Sequence, residues 1–231
     1  MTLRVAVLAS GRGSNFEVLA DRTATEGPGD GSGGEGLAWE VGVLITDRPG
    51  IAVLERARER EIPAEIVEPR PADPERAART MLEILESHAI GIVVLAGYLR
   101  LVPAAVVDRF RGRMLNIHPA LLPAFGGKGM YGRRVHEAVI ASGARVSGVT
   151  IHFVDEAYDE GRILAQWPVP VLPGDDPGSL AARIHEVEHR LYPAAVSTLA
   201  RAVATNEEAG SIPTEGRHFH LRSEPPTFPG P

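Results

Sequence analysis

The chain has no cysteine, one lysine and few aromatic residues. Without thiols there is no disulfide framework, no thiolate nucleophile and no Cys-ligated zinc. No apolar run approaches the roughly 20 residues that span a bilayer. The opening MTLRVAVLASGRGSN goes straight into a strand and a glycine turn, without a processing site of the signal-peptide kind. A cytoplasmic protein with no membrane partner is the expectation from these absences. Positive charge is also scarce. A net charge of -6 argues against nucleic acid as the main partner, since that calls for a basic face. A small anionic ligand needs only a local cluster of donors. Every cation but Lys128 is arginine, a bias that solvated faces tolerate because guanidinium replaces ammonium there.

What is present reads as a globular α/β chain. At 231 residues and 44% hydrophobic content, it can bury a large core. A short continuous apolar run at Leu3–Ala9 reads as a strand buried on both faces of a parallel sheet, Trp39–Thr46 and Ala64–Val67 read as further strands, and Ile90–Ala96 as the fourth and most apolar. Helical patterns separate them: Phe16 to about Arg22, Pro49–Glu61, Asp73-capped Pro74 to about Ser87, and Pro103 to about Phe110. Further on, a helix is expected over Arg133–Ser142, strands over Val146–Val154 and Ile163–Val171, and a long helix from Leu180 to about Thr205 capped by Ser179. This alternation predicts a single three-layer α/β domain over 1–205 with a mostly parallel sheet. Residues 206–231 are rich in Pro and Gly and are expected to form a loosely held tail.

The chain is organised around Met114–Pro123, MLNIHPALLP. A short apolar strand meets two prolines and must stop, because proline lacks an N–H and fixes φ. Just before the stop, Asn116 and His118 fall on one face of the strand and Ile117 on the other. A carboxamide and an imidazole at a strand end are suited to bind an oxyanion and move a proton, or simply to hydrogen-bond a neighbouring loop. In parallel sheets ligands sit beyond the carboxyl ends of the strands. SGRGSN, GYLR, NIHPALLP and DEAYDEG all lie there.

In SGRGSN, Gly11 and Gly13 allow close backbone approach, and the following helix offers free N–H groups at the positive end of its dipole. Ser14 and Asn15 add side-chain donors. The run lacks the third glycine of a dinucleotide loop and the Lys-Ser/Thr of a P-loop, so a monophosphate fits best; a tight structural turn is the alternative. Asp159 lies in an acidic turn with Asp155 and Glu156, a pattern that alone means only a solvated loop. His152, inside an apolar strand, reads as a satisfied core residue. Lys128, in the glycine-rich loop after the central motif, reads as a solvated cation or as part of a lid over an anionic group.

Taken together, SGRGSN, VVLAGYLR, NIHPALLP, HFVDEAYDEGRILAQ and RIHEVEHRLYP, in this order and spacing, resemble the phosphoribosylglycinamide formyltransferase family from about Leu3 to Arg201. The resemblance implies a Rossmann-like formyltransferase fold. It also implies small-molecule substrates, with a formyl group passing from the co-substrate 10-formyltetrahydrofolate to the primary amine of glycinamide ribonucleotide. A monomer or homodimer is expected, and no metal. Carried over by position, Asn116, His118 and Asp159 match the family's catalytic trio, and Gly13, Ser14 and Asn15 its ribonucleotide-phosphate loop. His185 to Glu188 match a stretch that holds the ribonucleotide. Leu99, Arg100, Leu101 and Val102 match the folate segment, together with Asn116 and the loop Asp155, Glu156, Ala157, Tyr158 and Asp159.

Three departures stand out. Pro74 falls where many members carry an arginine for the folate's glutamate tail, leaving Arg76 or Arg70 as substitutes. The loop Gly126–Arg133 is longer than the family pattern, and Gly27–Gly36 looks inserted. For the implied chemistry His118 is expected to be charged near neutrality, its pKa raised by Asp159. Two other classes compete. Methionyl-tRNA formyltransferase shares this catalytic half but carries a basic C-terminal domain, for which the residues after Arg201 are too few and too polar. A non-catalytic phosphate-ligand-binding module would have no need of the full trio.

Overall fold

The computed structural model describes residues 2–25, 39–69, 73–207 and 209. The Gly27–Gly36 loop, Arg70 and all of the expected tail except 206, 207 and 209 lie outside them. In chain order the elements are β1 Leu3–Leu8, α1 Ser14–Thr25, β2 Trp39–Thr46, α2 Ala52–Glu59, β3 Ala64–Ile66 and α3 Pro74–Ser87. They continue as β4 Ile90–Leu95, α4 Ala104–Arg109, β5 Met114–His118, α5 Arg133–Ser142, β6 Val146–Phe153, β7 Ile163–Pro170 and α6 Pro177–Thr205. The strands form one seven-stranded sheet in the order β3-β2-β1-β4-β5-β6-β7. Pairing is parallel from β3 to β5 and antiparallel across β5–β6 and β6–β7. At one edge β3 is only three residues long; at the other, β7 carries Pro168 and Pro170.

Alternation along the strands builds two cores. Val5 and Val7 of β1 face Phe16, Leu19, Val53, Leu180 and Tyr192, while Ala6 and Leu8 belong to the opposite cluster with Met81, Leu85, Val106 and Val107. Both faces of the central strands are therefore covered, which is why these strands are uninterruptedly apolar.

Three helix starts differ from expectation by two or three residues: α2 begins at Ala52 rather than Pro49, while α1 and α6 begin earlier than expected. α1 begins at Ser14, inside the glycine motif, because Gly13 (φ +81°) supplies the carbonyl that accepts from Glu17 N. α6 is capped not by Ser179 but by Asp176, whose carboxylate accepts from Gly178 N at 2.7 Å and Ser179 N at 2.8 Å. Ser179 Oγ accepts in return from Asp176 N, closing a capping box with Pro177 preset at the first helical position. Asp73 does cap α3, accepting from Arg76 N at 3.0 Å.

Tyr192 links α6 to the strands that carry the central motif. Its fully buried hydroxyl donates to Leu95 O at 2.8 Å, with Leu115 O at 3.3 Å. Tyr192→Phe keeps the ring and loses this tie, so it is expected to cost about 1 kcal/mol and to lower Tm by about 2–4 °C in a chain of this size. Calorimetric unfolding measures it, and an unchanged Tm would show that the tie is energetically idle.

Candidate active site

Beyond the carboxyl ends of the strands, where β1 leads to β2 on one side and β4 lies on the other, opens a cleft of about 560 Å³. This is the switch point at which doubly wound sheets bind ligands, and the volume suits a small molecule. Strand β5 brings Asn116 and His118 to its floor, and the β6–β7 turn brings Asp159.

Four polar side chains converge there. His118 Nε2 lies 2.8 Å from Phe125 O, and a carbonyl only accepts, so Nε2 carries a hydrogen and Nδ1 faces Asp159 Oδ2 at 3.5 Å. His152 Nδ1 likewise donates to Phe153 O at 2.9 Å, leaving Nε2 to accept from Asn116 Nδ2 at 3.0 Å. Asn116 sends its second N–H toward Asp159 Oδ1 at 3.4 Å, a long contact. Gly127 N donates to Asp159 Oδ2 at 2.9 Å and so folds the loop after the central motif back over the trio. Asp159 itself sits in the left-handed region at φ +59°, an uncommon state for a residue other than glycine.

The turn that presents His118 is fixed from below by Thr150. Its hydroxyl donates to Ala120 O at 2.7 Å and accepts from Leu122 N and from Gln166 Nε2, each at 3.0 Å. Gln166 also donates to Leu122 O at 2.9 Å. The backbone polar groups freed at the strand end thus find buried partners on β6 and β7.

The electrostatics correct one expectation. Burial pushes the His118 pKa down, and this outweighs Asp159 and the Phe125 carbonyl, which work to raise it. His118 is 3% exposed, and desolvation penalises its cation more than one carboxylate at 3.5 Å repays. Burial also works to raise Asp159, but the facing His152, the His118 imidazole and the Gly127 N–H together hold its carboxyl below the usual range. Asp159 is the charged member of the pair.

At the other end of the cleft, SGRGSN presents the first turn of α1. Asn15 Nδ2 is already engaged by Glu188 Oε2 at 3.0 Å, and its buried Oδ1 has no partner among the described residues. Burial pushes the Glu188 carboxyl up to about 7, against the hydrogen bond from Asn15. His185 Nε2 stands 3.8 Å from the same carboxylate, and burial together with His189 and Arg12 lowers its pKa.

Gly13, Ser14, Leu99, Arg100, Leu101, Val102, Asp155, Ala157, Tyr158 and Lys128 also line the cleft. Glu156 does not: it turns outward, 3.7 Å from Arg111, with its side chain largely exposed. Arg76 lines a separate surface depression with Glu68 and Thr80. Two histidines widen the expected set. His152 is buried as expected of a core residue, yet it also bonds Asn116, a role its alternating strand position beside Asn116 in β5 carries (Asn116↔His152). His136 on α5 is 3% exposed and lines the cleft, and its Nδ1 has no partner among the described residues. Burial, with His185 and His118 nearby, pushes it down to about 4. No motif marks it. Among the described residues no group of three His, Cys, Asp or Glu is arranged to hold a metal ion.

A carboxyl whose folded pKa is about 7 keeps its proton between its ordinary value and that point while the unfolded chain loses it. Its contribution to stability is therefore full at low pH and is lost as pH rises through about 7. Glu188→Gln removes this loss, so the Tm of the variant relative to the parent is expected to climb between pH 5 and pH 8. A pH-independent difference would contradict the buried, proton-holding Glu188.

Comparison with known proteins agrees with this geometry. The family described as formyl transferase matches residues 3–196. A chloroplastic phosphoribosylglycinamide formyltransferase of Arabidopsis thaliana is 46% identical over 191 residues, covering 82% of this chain and 62% of that protein. The chain thus spans less than two thirds of this curated relative. The phosphoribosylglycinamide formyltransferase of Bacillus subtilis is 34% identical, covering 85% of this chain and 94% of that protein. Among solved structures, glycinamide ribonucleotide transformylase 1 from Symbiobacterium toebii superposes with a TM-score of 0.75 at 37% identity, over 87% of this chain and 89% of that one. A match over most of the chain, carried by the strands and loops that build the cleft, places the chain in the formyl transferase family.

Proposed function

We propose that the cleft transfers the formyl group of 10-formyltetrahydrofolate to the primary amine of glycinamide ribonucleotide, a step of purine synthesis. The observation that carries the reading is the convergence of Asn116, His118 and Asp159 at one end of a cleft whose other end is the N-terminus of α1. In it, the phosphate meets the Gly13–Asn15 turn and Glu188 faces the ribose. The folate lies along Leu99–Val102 and the Asp155–Asp159 loop, where Leu99, Leu101 and Tyr158 leave apolar surface exposed.

The amine nitrogen bonds to the formyl carbon and the carbonyl pair moves to oxygen. The tetrahedral oxyanion then collapses, the bond to folate N10 breaks, and N10 leaves with a proton that the amine has lost. Neutral His118 fits this traffic: Nδ1 takes the proton and later returns it to N10, while ionised Asp159 steadies the transient imidazolium. The Asn116 N–H on its long contact to Asp159 is the one free to turn to the oxyanion, where a single donor is typically worth about 3 kcal/mol.

The deciding assay is formyl transfer to glycinamide ribonucleotide, with charged tRNA as the control acceptor. Transfer to tRNA alone would overturn the substrate assignment, and no transfer to either would leave a binding module.

Two variant sets follow. Gly13→Ala forces a side chain into the left-handed region and against Val53, so KM for the ribonucleotide should rise while KM for the folate holds; equal KM values in a folded variant would remove the loop from the phosphate. Asp159→Asn is near-isosteric and strips the charge that favours the imidazolium. The His118 pKa then falls further, and the acidic limb of the residual activity moves to lower pH. His118→Ala should be equally damaging, and the double variant little worse than either, since groups acting as a unit are non-additive. Additive losses would mean that the two are not coupled.

A further inference from the structure

Asp47 is a buried carboxylate that the chemistry above does not use. It directly follows β2, its side chain has no exposed surface, and it does not line the cleft. Arg48 donates to both of its oxygens, Nε to Oδ1 at 3.1 Å and Nη2 to Oδ2 at 2.8 Å. Arg100 Nε, from the segment after β4, donates to Oδ2 at 3.1 Å. Burial works to raise the Asp47 pKa, but these guanidinium groups and the Ser10 hydroxyl, from the segment after β1, hold the carboxyl below its usual range. Ser10 Oγ in turn accepts from Leu99 N at 3.0 Å, and Ser10 N lies 3.2 Å from Gly97 O.

The connections that follow β1, β2 and β4 therefore meet at one carboxylate: Arg48 and Arg100 bond it directly, and the connection after β1 is tied to the one after β4 through Ser10 and Leu99. The first begins the glycine turn and the third holds Leu99–Val102, so the two halves of the cleft meet in a single charge that neither displays. Neutralising it would leave a buried group without charge between two half-exposed guanidinium groups, and the bonds that hold Arg100 and its segment to β2 would weaken.

We propose that Asp47 is a positioning residue that locks the glycine turn and the Leu99–Val102 segment into one rigid unit, so that both substrates of the proposed transfer meet a single preorganised surface. The inference rests on the reading of the cleft as a two-substrate site. Local misplacement of about 1 Å is enough to cost on the order of a hundredfold in rate.

The test pairs kinetics with a readout that needs no substrate. Asp47→Asn is expected to lower kcat/KM at least tenfold, raising KM for both substrates together. In amide hydrogen exchange Leu99 and residues 10–15 should both speed up. Arg48→Ala, whose partner keeps its bond to Arg100, should leave both measurements near the parent. If Asp47→Asn does not fold, Ser10→Ala removes the hydroxyl that accepts from Leu99 N and must show the same paired loosening. A lower Tm with unchanged KM values, or exchange that quickens in one segment and not the other, overturns the positioning role. A parent inactive in formyl transfer refutes the proposed function instead, while the exchange result still decides the coupling.

Discussion

A charge without water must be held by its neighbours, and the site depends on how Asp159 meets that requirement. With only a tenth of its side chain exposed, it faces two imidazoles, a carboxamide and a backbone N–H. Those groups come from β5, β6 and the loop over 125–127. Compensating one carboxylate thus draws together the chemistry of the cleft, and it holds the backbone at Asp159 in a conformation that few residues adopt unaided. The same desolvation that makes Asp159 dependent on its partners suppresses the cation of His118. Opposite demands on two neighbours are what separates an acid from a base.

The sheet makes this convergence possible. Parallel order from β3 to β5 aims the first loops at one rim; β6 runs back from that rim, and its connection to β7 folds Asp159 against Asn116, His118 and His152. Thr150 and Gln166, on those last strands, then anchor the proline turn after His118. Positions of the reactive groups are therefore set by strands, and only the covering loop is left to adjust.

Much of this was legible along the chain. Apolar runs marked the strands because burial on both faces leaves no room for polar alternation, and prolines at 119 and 123 ended β5 where Asn116 and His118 were needed. Turn glycine and helix start coincided at Gly13 and Ser14. What stayed hidden was decided across distance. Asn15 and Glu188 are 173 positions apart, and nothing local says that a donor expected to face a ligand is spent on a carboxylate. The ionisation of His118 hung on burial against charge, a balance that a motif does not record. Glu156 shares a motif with Asp159 and turns the other way, to Arg111. His136 joins the cleft through helix placement alone.

The sheet's two margins carry a consequence of their own. A strand at an open edge offers unpaired N–H and C=O groups to any other extended chain. Here β3 is too short to template a partner. In β7, Pro168 and Pro170 pair with Gly148 and Val146 and have no hydrogen to offer outward. Both borders are blunt, so the molecule resists polymerising strand to strand even when crowded.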